Sequence, residues 1–429
     1  ENVYTCDERK TILKSISLRD NKAVVFTGPS INESSTNGVY SGQSFIYEAG
    51  KMLDISKPYT SSLLINDINI DELKRKNKTI KTNNTYPVTI SVNFKESKYD
   101  LIRKLDPHPL IPSNKSEYDK KMKSILEIQA QAIIRRLNQL NEKDIYIGLS
   151  GGLDSTLVLL ASCLAYQKLG YDLKGIHTIT MPGLGTSQRT KSNAILLAES
   201  LGVSIEEISI KESVLQHFKD INHDENDTSV VFENAQARER TQILMDLSNK
   251  HGGIVIGTGN MSEVALGFAT YNGDHMSMYG INAGIPKTLL REVVRYVKDN
   301  INNEGAKKAM ADIIDTPISP ELLPPVDGKI SQKTEDNVGP YELHDFFIYH
   351  IVRNKSSFED TLEMASIAFA NKYDRPIIIK WLQTFLRRFS TQQFKRTCSP
   401  DGPGIEDFSL NPRNGLIMAS DIDILKLGE

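Results

Sequence analysis

Gly148-Leu149-Ser150-Gly151-Gly152-Leu153-Asp154-Ser155-Thr156 is the stretch on which the reading of this chain turns. The apolar run DIYIGL enters it as a strand, and a helical pattern from Ser155 to Leu169 leaves it. Two adjacent glycines at such a junction let backbone N–H groups converge on an anion with no side chain in the way. The helix that follows adds the positive end of its dipole. Ser150 and Ser155 supply hydroxyl donors. Asp154 would repel a bare phosphate, so its presence implies a cation, and Mg²⁺ bridging phosphate oxygens fits. No lysine follows the glycines, and the spacing differs from the GxxxxGK[ST] loop. The plain alternative is a glycine turn that only starts a helix, and the complete strand–SGGLDS–helix unit argues against it.

Outward from the loop, strands and helices alternate. LKGIHTITM is a strand, SQRTKSNAILLAESLG a helix, SIEEISI a strand, Glu233 to Asn249 a helix and GGIVIGT a strand. Short apolar strands between amphipathic helices imply a parallel sheet covered on both faces. Ligands of such sheets sit beyond the carboxyl ends of the strands, where the glycine loop falls. Upstream, Met122, Leu126, Ala130, Ile133, Leu137 and Leu140 recur on one face of a helix. Pro107, Pro109 and Pro112 mark a domain boundary before it. The first hundred residues read as β-rich: AVVFTG is a strand, Glu48-Ala49-Gly50 turns a hairpin into KMLDI, and SSLLINDINI is a further strand. DELKRKNK and KTIKTNNTYPVT, which come next, are a charged segment and a loop.

The 429 residues suffice for two or three domains. A net charge of -3 disfavours a long nucleic-acid track. Cys6, Cys163 and Cys398 form no CxxC, so no zinc or disulfide framework is expected, and reduced cytoplasm is the natural compartment. No apolar run is long enough to span a membrane and no signal peptide opens the chain. The first residue is Glu1, which raises the expectation of a longer parent.

The loop resembles the SGGxDS loop of ATP pyrophosphatases, which grip departing pyrophosphate and transfer AMP to an acyl oxygen. HTITMPGLGTSQRT, FENAQARERTQILMDLSNKHGG, IVIGTGNMSEVALGFATYNGDHMS and INAGIPKTLLREVVRY are similar to the glutamine-dependent branch of the NAD⁺ synthetase family. So are SPELLPPVDGKISQKTEDNVGPYELHDFF and RRFSTQQFKRTCSPDGPGI, and the likeness runs from Pro112 to about Ser420. It implies an α/β fold. A doubly wound parallel sheet, the Rossmann-like ATP pyrophosphatase domain, would occupy 107–429. Residues 1–106 would be the C-terminal part of an α/β nitrilase-like sandwich that lacks the region of its catalytic Cys, with Cys6 falling after that position. The implied reaction is amidation of deamido-NAD⁺ through an adenylate, with ATP as co-substrate, Mg²⁺, and ammonia or glutamine as nitrogen source. This chain would be limited to ammonia. A homo-oligomer without nucleic-acid or membrane partners is also implied.

The resemblance assigns ATP contacts to the residues from Gly148 to Ser155, to Thr258 at a strand end, and to Lys287 in IPKT. Asp154 and Glu263 would be catalytic and hold the metal, Glu263 also contacting the second substrate; read alone, Glu263 is a first-turn carboxylate favoured by its helix dipole. Asn234, Phe268, Asp274 and Lys395 would meet deamido-NAD⁺. Read alone, Asn234 is a helix N-cap, Phe268 a core residue, and Lys395 a surface lysine. Phe268 stands where relatives often carry Trp. Arg238 and Arg240 face phosphates or solvent, and His275 reads as structural. The competing readings are another adenylating amidotransferase such as a GMP synthetase, a tRNA-thiolating enzyme with the same loop, and a non-catalytic binding remnant. FENAQAR, GTGNMSEVALG and the QFKR tail speak against the first, the lack of paired cysteines and a basic face against the second, and the intact loop with Glu263 against the third.

Overall fold

Five parallel strands organise the larger part of the molecule, in the order β6-β5-β4-β7-β8. They are β4 (Ile145–Gly148), β5 (Ile176–Thr180), β6 (Ser204–Glu207), β7 (Ile254–Gly257) and β8 (Tyr279–Gly280). The computed structural model describes residues 1–68, 70, 73, 105–318, 322–323 and 334–422. Two compact units result. One comprises Glu1–Val3, Ser34–Val39 and Pro107–Glu429, the other Tyr4–Glu33 and Tyr40–Asp106. The doubly wound parallel sheet expected from the alternation is present in the first.

Helix α2 (Lys115–Leu140) starts where Asn114 accepts from the N–H groups of Ser116 and Glu117, and stops at Asn141 in the left-handed region. Its face of Met122, Leu126, Ala130, Ile133 and Leu137 is buried, while Leu140, at the end, is exposed. Helix α3 (Leu153–Leu169) is apolar nearly all round and lies inside the layers. It begins two residues before the expected Ser155, because Gly152 already occupies the cap position. LKGIHTITM and SIEEISI yield shorter strands than read. The LKG piece is a 3-10 turn capped by Asp172.

The remaining helices of this unit follow in order. They are α4 (Gln188–Leu201), α5 (Lys211–Asp220), α6 (Val230–His251), α7 (Met261–Leu266), α8 (Lys287–Asn300), α9 (Glu304–Asp315), α10 (Thr334–Val338), α11 (Tyr341–Phe347), α12 (Phe358–Ala368), α13 (Arg375–Thr391) and α14 (Gln393–Thr397). A π-helical segment, Ile348–Arg353, extends α11. A core rich in aromatics, including Phe346, Phe347, Phe385 and Phe389, joins α7, α11, α12 and α13. No helix among the described residues is long and apolar enough to cross a membrane.

The smaller unit departs from its β-rich reading. It has an antiparallel sheet of β1 (Ala23–Thr27), β2 (Ser44–Glu48) and β3 (Lys51–Ile55), with the expected hairpin at Ala49-Gly50. A helix, α1 (Thr5–Arg19), packs on it through Leu13 against Phe45 and Tyr47. Only Leu13 and Ser17 of α1 are buried, so its sequence carries little periodicity. Residues 61–68 of SSLLINDINI form no strand. Leu63 and Ile65 are 84% and 79% exposed, so no sheet face among the described residues takes up their alternation. Most of DELKRKNK and all of KTIKTNNTYPVT lie outside the described residues.

Candidate active site

The strand order reverses direction between β4 and β7, so the loops that leave these two strands diverge and open a crevice. A cavity of about 300 Å³ occupies it. It is bordered by all residues from Gly148 to Ser155, and by Thr258, Glu263, Phe268, Asp274 and Lys287. Sequence positions more than a hundred apart thus meet here: the glycine loop and Thr258 follow strand ends, Glu263 and Lys287 lie in the first turns of helices, and Phe268 and Asp274 lie between α7 and β8.

The loop itself is tightly held. Gly151 has φ +82°, and a Cβ there would lie 2.2 Å from the carbonyl oxygen of Thr190. Ser150 and Ser155 share a hydrogen bond of 3.1 Å between their hydroxyls, and Ser150 Oγ accepts from the Gly152 N–H. Gly152 caps α3 without any side-chain acceptor for its first-turn N–H groups. Those donors belong to residues that border the cavity, with the helix dipole behind them, an arrangement suited to phosphate oxygens.

Across the crevice, the ammonium of Lys287 sits between two carboxylates. It donates to Asp154 Oδ2 and, at 3.4 Å, to Glu263 Oε1. Asn260 opens α7 with a capping box: its Oδ1 accepts from the Glu263 N–H at 3.0 Å, and Glu263 Oε2 accepts from the Asn260 N–H. Asn260 Nδ2 also donates to Asp154 Oδ1 at 2.8 Å. Glu263 therefore caps its helix with one oxygen, as its position in the first turn suggests, and faces Lys287 with the other. Burial, then the nearby charge of Asp154, push the Glu263 carboxyl up to about 7 against the opposing pull of Lys287. For Lys287, burial lowers the pKa, but the two carboxylates together outweigh it and the net shift is upward.

Three fully buried side chains fix this trio from behind. Asn282 Nδ2 donates to the carbonyls of Asp154 and Thr258, tying the two crevice loops together. Gln129, from α2, donates to Asn282 Oδ1 at 2.8 Å. Asp345, from α11, accepts from Ser262 Oγ, and from the Thr288 N–H and Oγ1 at 2.8 and 2.6 Å. Ser262 in turn accepts from the Lys287 N–H at 2.8 Å. One carboxylate thereby sets the start of α8, which carries Lys287, against the first turn of α7, which carries Glu263.

Asn234 and Lys395 stand behind the cavity wall rather than on it. Asn234 Oδ1 accepts from Thr270 Oγ1 at 2.8 Å, and Lys395 Nζ donates to the carbonyls of Gly267 and Ala269 at 2.8 and 2.7 Å. Asn234 is not an N-cap, because α6 already starts at Val230 behind Ser229. Asp274 Oδ1 accepts from the Thr270 N–H at 2.7 Å. His275 accepts at Nδ1 from the Asn272 N–H and donates from Nε2 to the Lys395 carbonyl. Arg238 bonds to the Tyr271 carbonyl, and Arg240 to the Met181 carbonyl beside the cavity.

Residues 125–384 match the family model described as NAD synthase. The glutamine-dependent NAD(+) synthetase of Mycobacterium leprae is 33% identical over 97% of this chain and 67% of its own length. The chain belongs to the NAD synthase family. It spans about two thirds of the length of these curated relatives. The corresponding synthetase of Mycobacterium tuberculosis is 32% identical over the same shares. Among solved structures, the glutamine-dependent NAD(+) synthetase of Cytophaga hutchinsonii has a TM-score of 0.70 at 18% identity, covering 97% of this chain and 66% of that one. That of Acinetobacter baumannii, solved with ADP, has 0.54 at 19% identity, over 92% and 61%. At these identities the two structures speak for the fold.

Within this NAD synthase unit, Gln129, Asn260, Asn282 and Asp345 were not singled out from the sequence. Asn260 carried a usable signal, since Asn-x-x-Glu before an apolar segment is a capping pattern. Gln129 and Asn282 carried none, because only the fold brings them to the loop.

Proposed function

We propose that this chain activates the nicotinate carboxylate of deamido-NAD⁺ with ATP and transfers the acyl group to ammonia. The observation that carries the reading is Asp154, Lys287 and Glu263 converging beside a glycine loop whose amides are open to phosphate. In the reaction a carboxylate oxygen attacks the α-phosphorus and its bond to the bridging oxygen of pyrophosphate breaks. Ammonia then attacks the adenylated carbonyl, loses a proton, and AMP departs. No side-chain nucleophile is needed. The amides of the loop offer fixed dipoles to the departing pyrophosphate, and Lys287 offers charge. Thr258, Glu263 and the wall of Phe268 and Asp274 orient the two substrates, and positioning supplies much of the rate.

Asp154 and Glu263 are hard oxygen donors that already share one cation, the Lys287 ammonium, and these two carboxylates would hold Mg²⁺. Bound there, the ion would neutralise charge growing on the leaving group. No larger cluster of metal-binding side chains occurs among the described residues.

Free ammonia is the nitrogen source in this reading. The Cys163 thiol is buried and pushed up to about 12, and Cys6 packs against the apolar cluster of the small unit. Residues 1–106 are read as the closing part of a nitrilase-type glutaminase domain, and the working form as a cytoplasmic homo-oligomer, which light scattering tests. The decisive assay supplies ATP, ammonium and deamido-NAD⁺ and follows NAD⁺ and AMP together. Asp154→Ala should lower that turnover by about a thousandfold or more. An undiminished rate in this variant would remove the basis of the assignment.

A further inference from the structure

Helix α7 has six residues, too few to hold itself together in water. Its N-terminal end carries Glu263, and its C-terminal end runs directly into Phe268 and the turn that holds Asp274. Of the carbonyls at that C-terminal end, Val264 accepts from the Gly267 N–H at 3.4 Å, and those after it lie past the last helical donors. Three basic side chains from α13 and α14 take them up. Arg396 donates to the carbonyls of Val264 and Ala265 at 3.3 and 3.0 Å. Arg388 donates from Nε to the Leu266 carbonyl at 2.9 Å. Lys395 continues the series at Gly267 and Ala269.

The arrangement is unusual in its charge. Among the described residues none of the three cations is in a salt bridge with a carboxylate. Arg396 is 1% exposed, and its remaining donors go to the Phe389 carbonyl and to Gln393 Oε1. Burial brings the Arg396 pKa down to about 10 and lowers those of Arg388 and Lys395 as well. Their compensation is the negative end of the α7 dipole and its carbonyl oxygens. An apolar side chain would fill the same space without the cost of burying charge, so packing alone does not account for three cations here.

What these cations act on is the cavity wall. The guanidinium of Arg388 lies 5.8 Å from the centre of the Phe268 ring, which borders the cavity. Gly267, at φ +57°, is pressed so closely by α13's end that a Cβ would lie 2.3 Å from Cβ of Gln392. Asn234 and His275 brace the same turn from the other side, at Thr270 and at the Lys395 carbonyl.

We infer that Arg388, Arg396 and Lys395 are positioning residues that hold Phe268 and Asp274 in the conformation that receives the dinucleotide, leaving the nucleotide loop untouched. The inference rests on the functional reading above. It assigns Lys395 to the backbone of the wall, and it makes the positive charge behind that wall favourable to a substrate bearing a carboxylate and a diphosphate.

Arg388→Met keeps an apolar stem of similar length and removes the charge and the donor. The KM for deamido-NAD⁺ should rise about tenfold while that for ATP stays within about twofold. Arg388→Lys should recover part of the difference. Amide hydrogen exchange over residues 267–275 should quicken in Arg388→Met, with α8 unchanged. A parallel rise in both KM values, or no rise in either, overturns the inference, as does unaltered exchange over 267–275. The exchange measurement needs no turnover. If the parent chain fails to amidate deamido-NAD⁺, the functional reading falls while exchange still decides the positioning.

Discussion

At Gly151 the backbone does what no other residue type could do cheaply. Its positive φ costs an L-residue roughly 1–2 kcal/mol, and the Thr190 carbonyl fills the place of a Cβ. Gly151→Ala is therefore expected to push the loop away from α4 and raise the KM for ATP at least tenfold. Steady-state kinetics at saturating deamido-NAD⁺ will read this, and an unchanged KM would mean that the loop does not grip ATP. This glycine was legible in the sequence because the loop's chemistry sits in consecutive residues. Asp345 was not, since its partners Ser262 and Thr288 belong to segments far from it in the chain. Asn234 was read as a cap from its residue type alone, and Ser229 had that position. Residue type suggests a role, but the preceding turn decides who plays it.

Among the elements, α11 carries the clearest pH response. His344 is fully buried, donates from Nε2 to the Val338 carbonyl, and has no partner at Nδ1 among the described residues, so its ring is neutral. Burial lowers its pKa from 6.5 to about 4. Below 6.5 the unfolded chain therefore binds a proton that the folded one refuses. The stabilisation is fully present above 6.5 and is lost as the pH falls toward about 4. His344→Phe abolishes this term, so the stability gap between parent and variant should shrink by about 1.4 kcal/mol per pH unit across that window. Urea unfolding curves at several pH values check it, and parallel pH profiles would contradict it. The alternating strands and helices of the larger unit were readable because each buries one repeating face. Helix α1 escaped notice because it buries so little, and residues 61–68 form no strand, Leu63 and Ile65 being exposed among the described residues.

For the whole molecule, the nitrogen source is the open variable. With ATP and deamido-NAD⁺ present, ammonium should sustain NAD⁺ formation, and glutamine alone should give none above background. Cys6→Ala should leave the ammonium rate within about twofold, as expected of a substitution away from the chemistry. Glutamine turnover that Cys6→Ala abolishes would overturn the reading of the small unit. A broader consequence follows from where α7 finds its partners. Ribosomes build a protein from its N-terminus, and the cations that steady Phe268 and Asp274 belong to α13 and α14, near the other end. In the proposed reading, a nascent chain thus acquires its glycine loop long before the side chains that steady the cavity wall. A message cut short ahead of Arg388 would yield a polypeptide that carries the glycine loop without the three cations bonded to the α7 end.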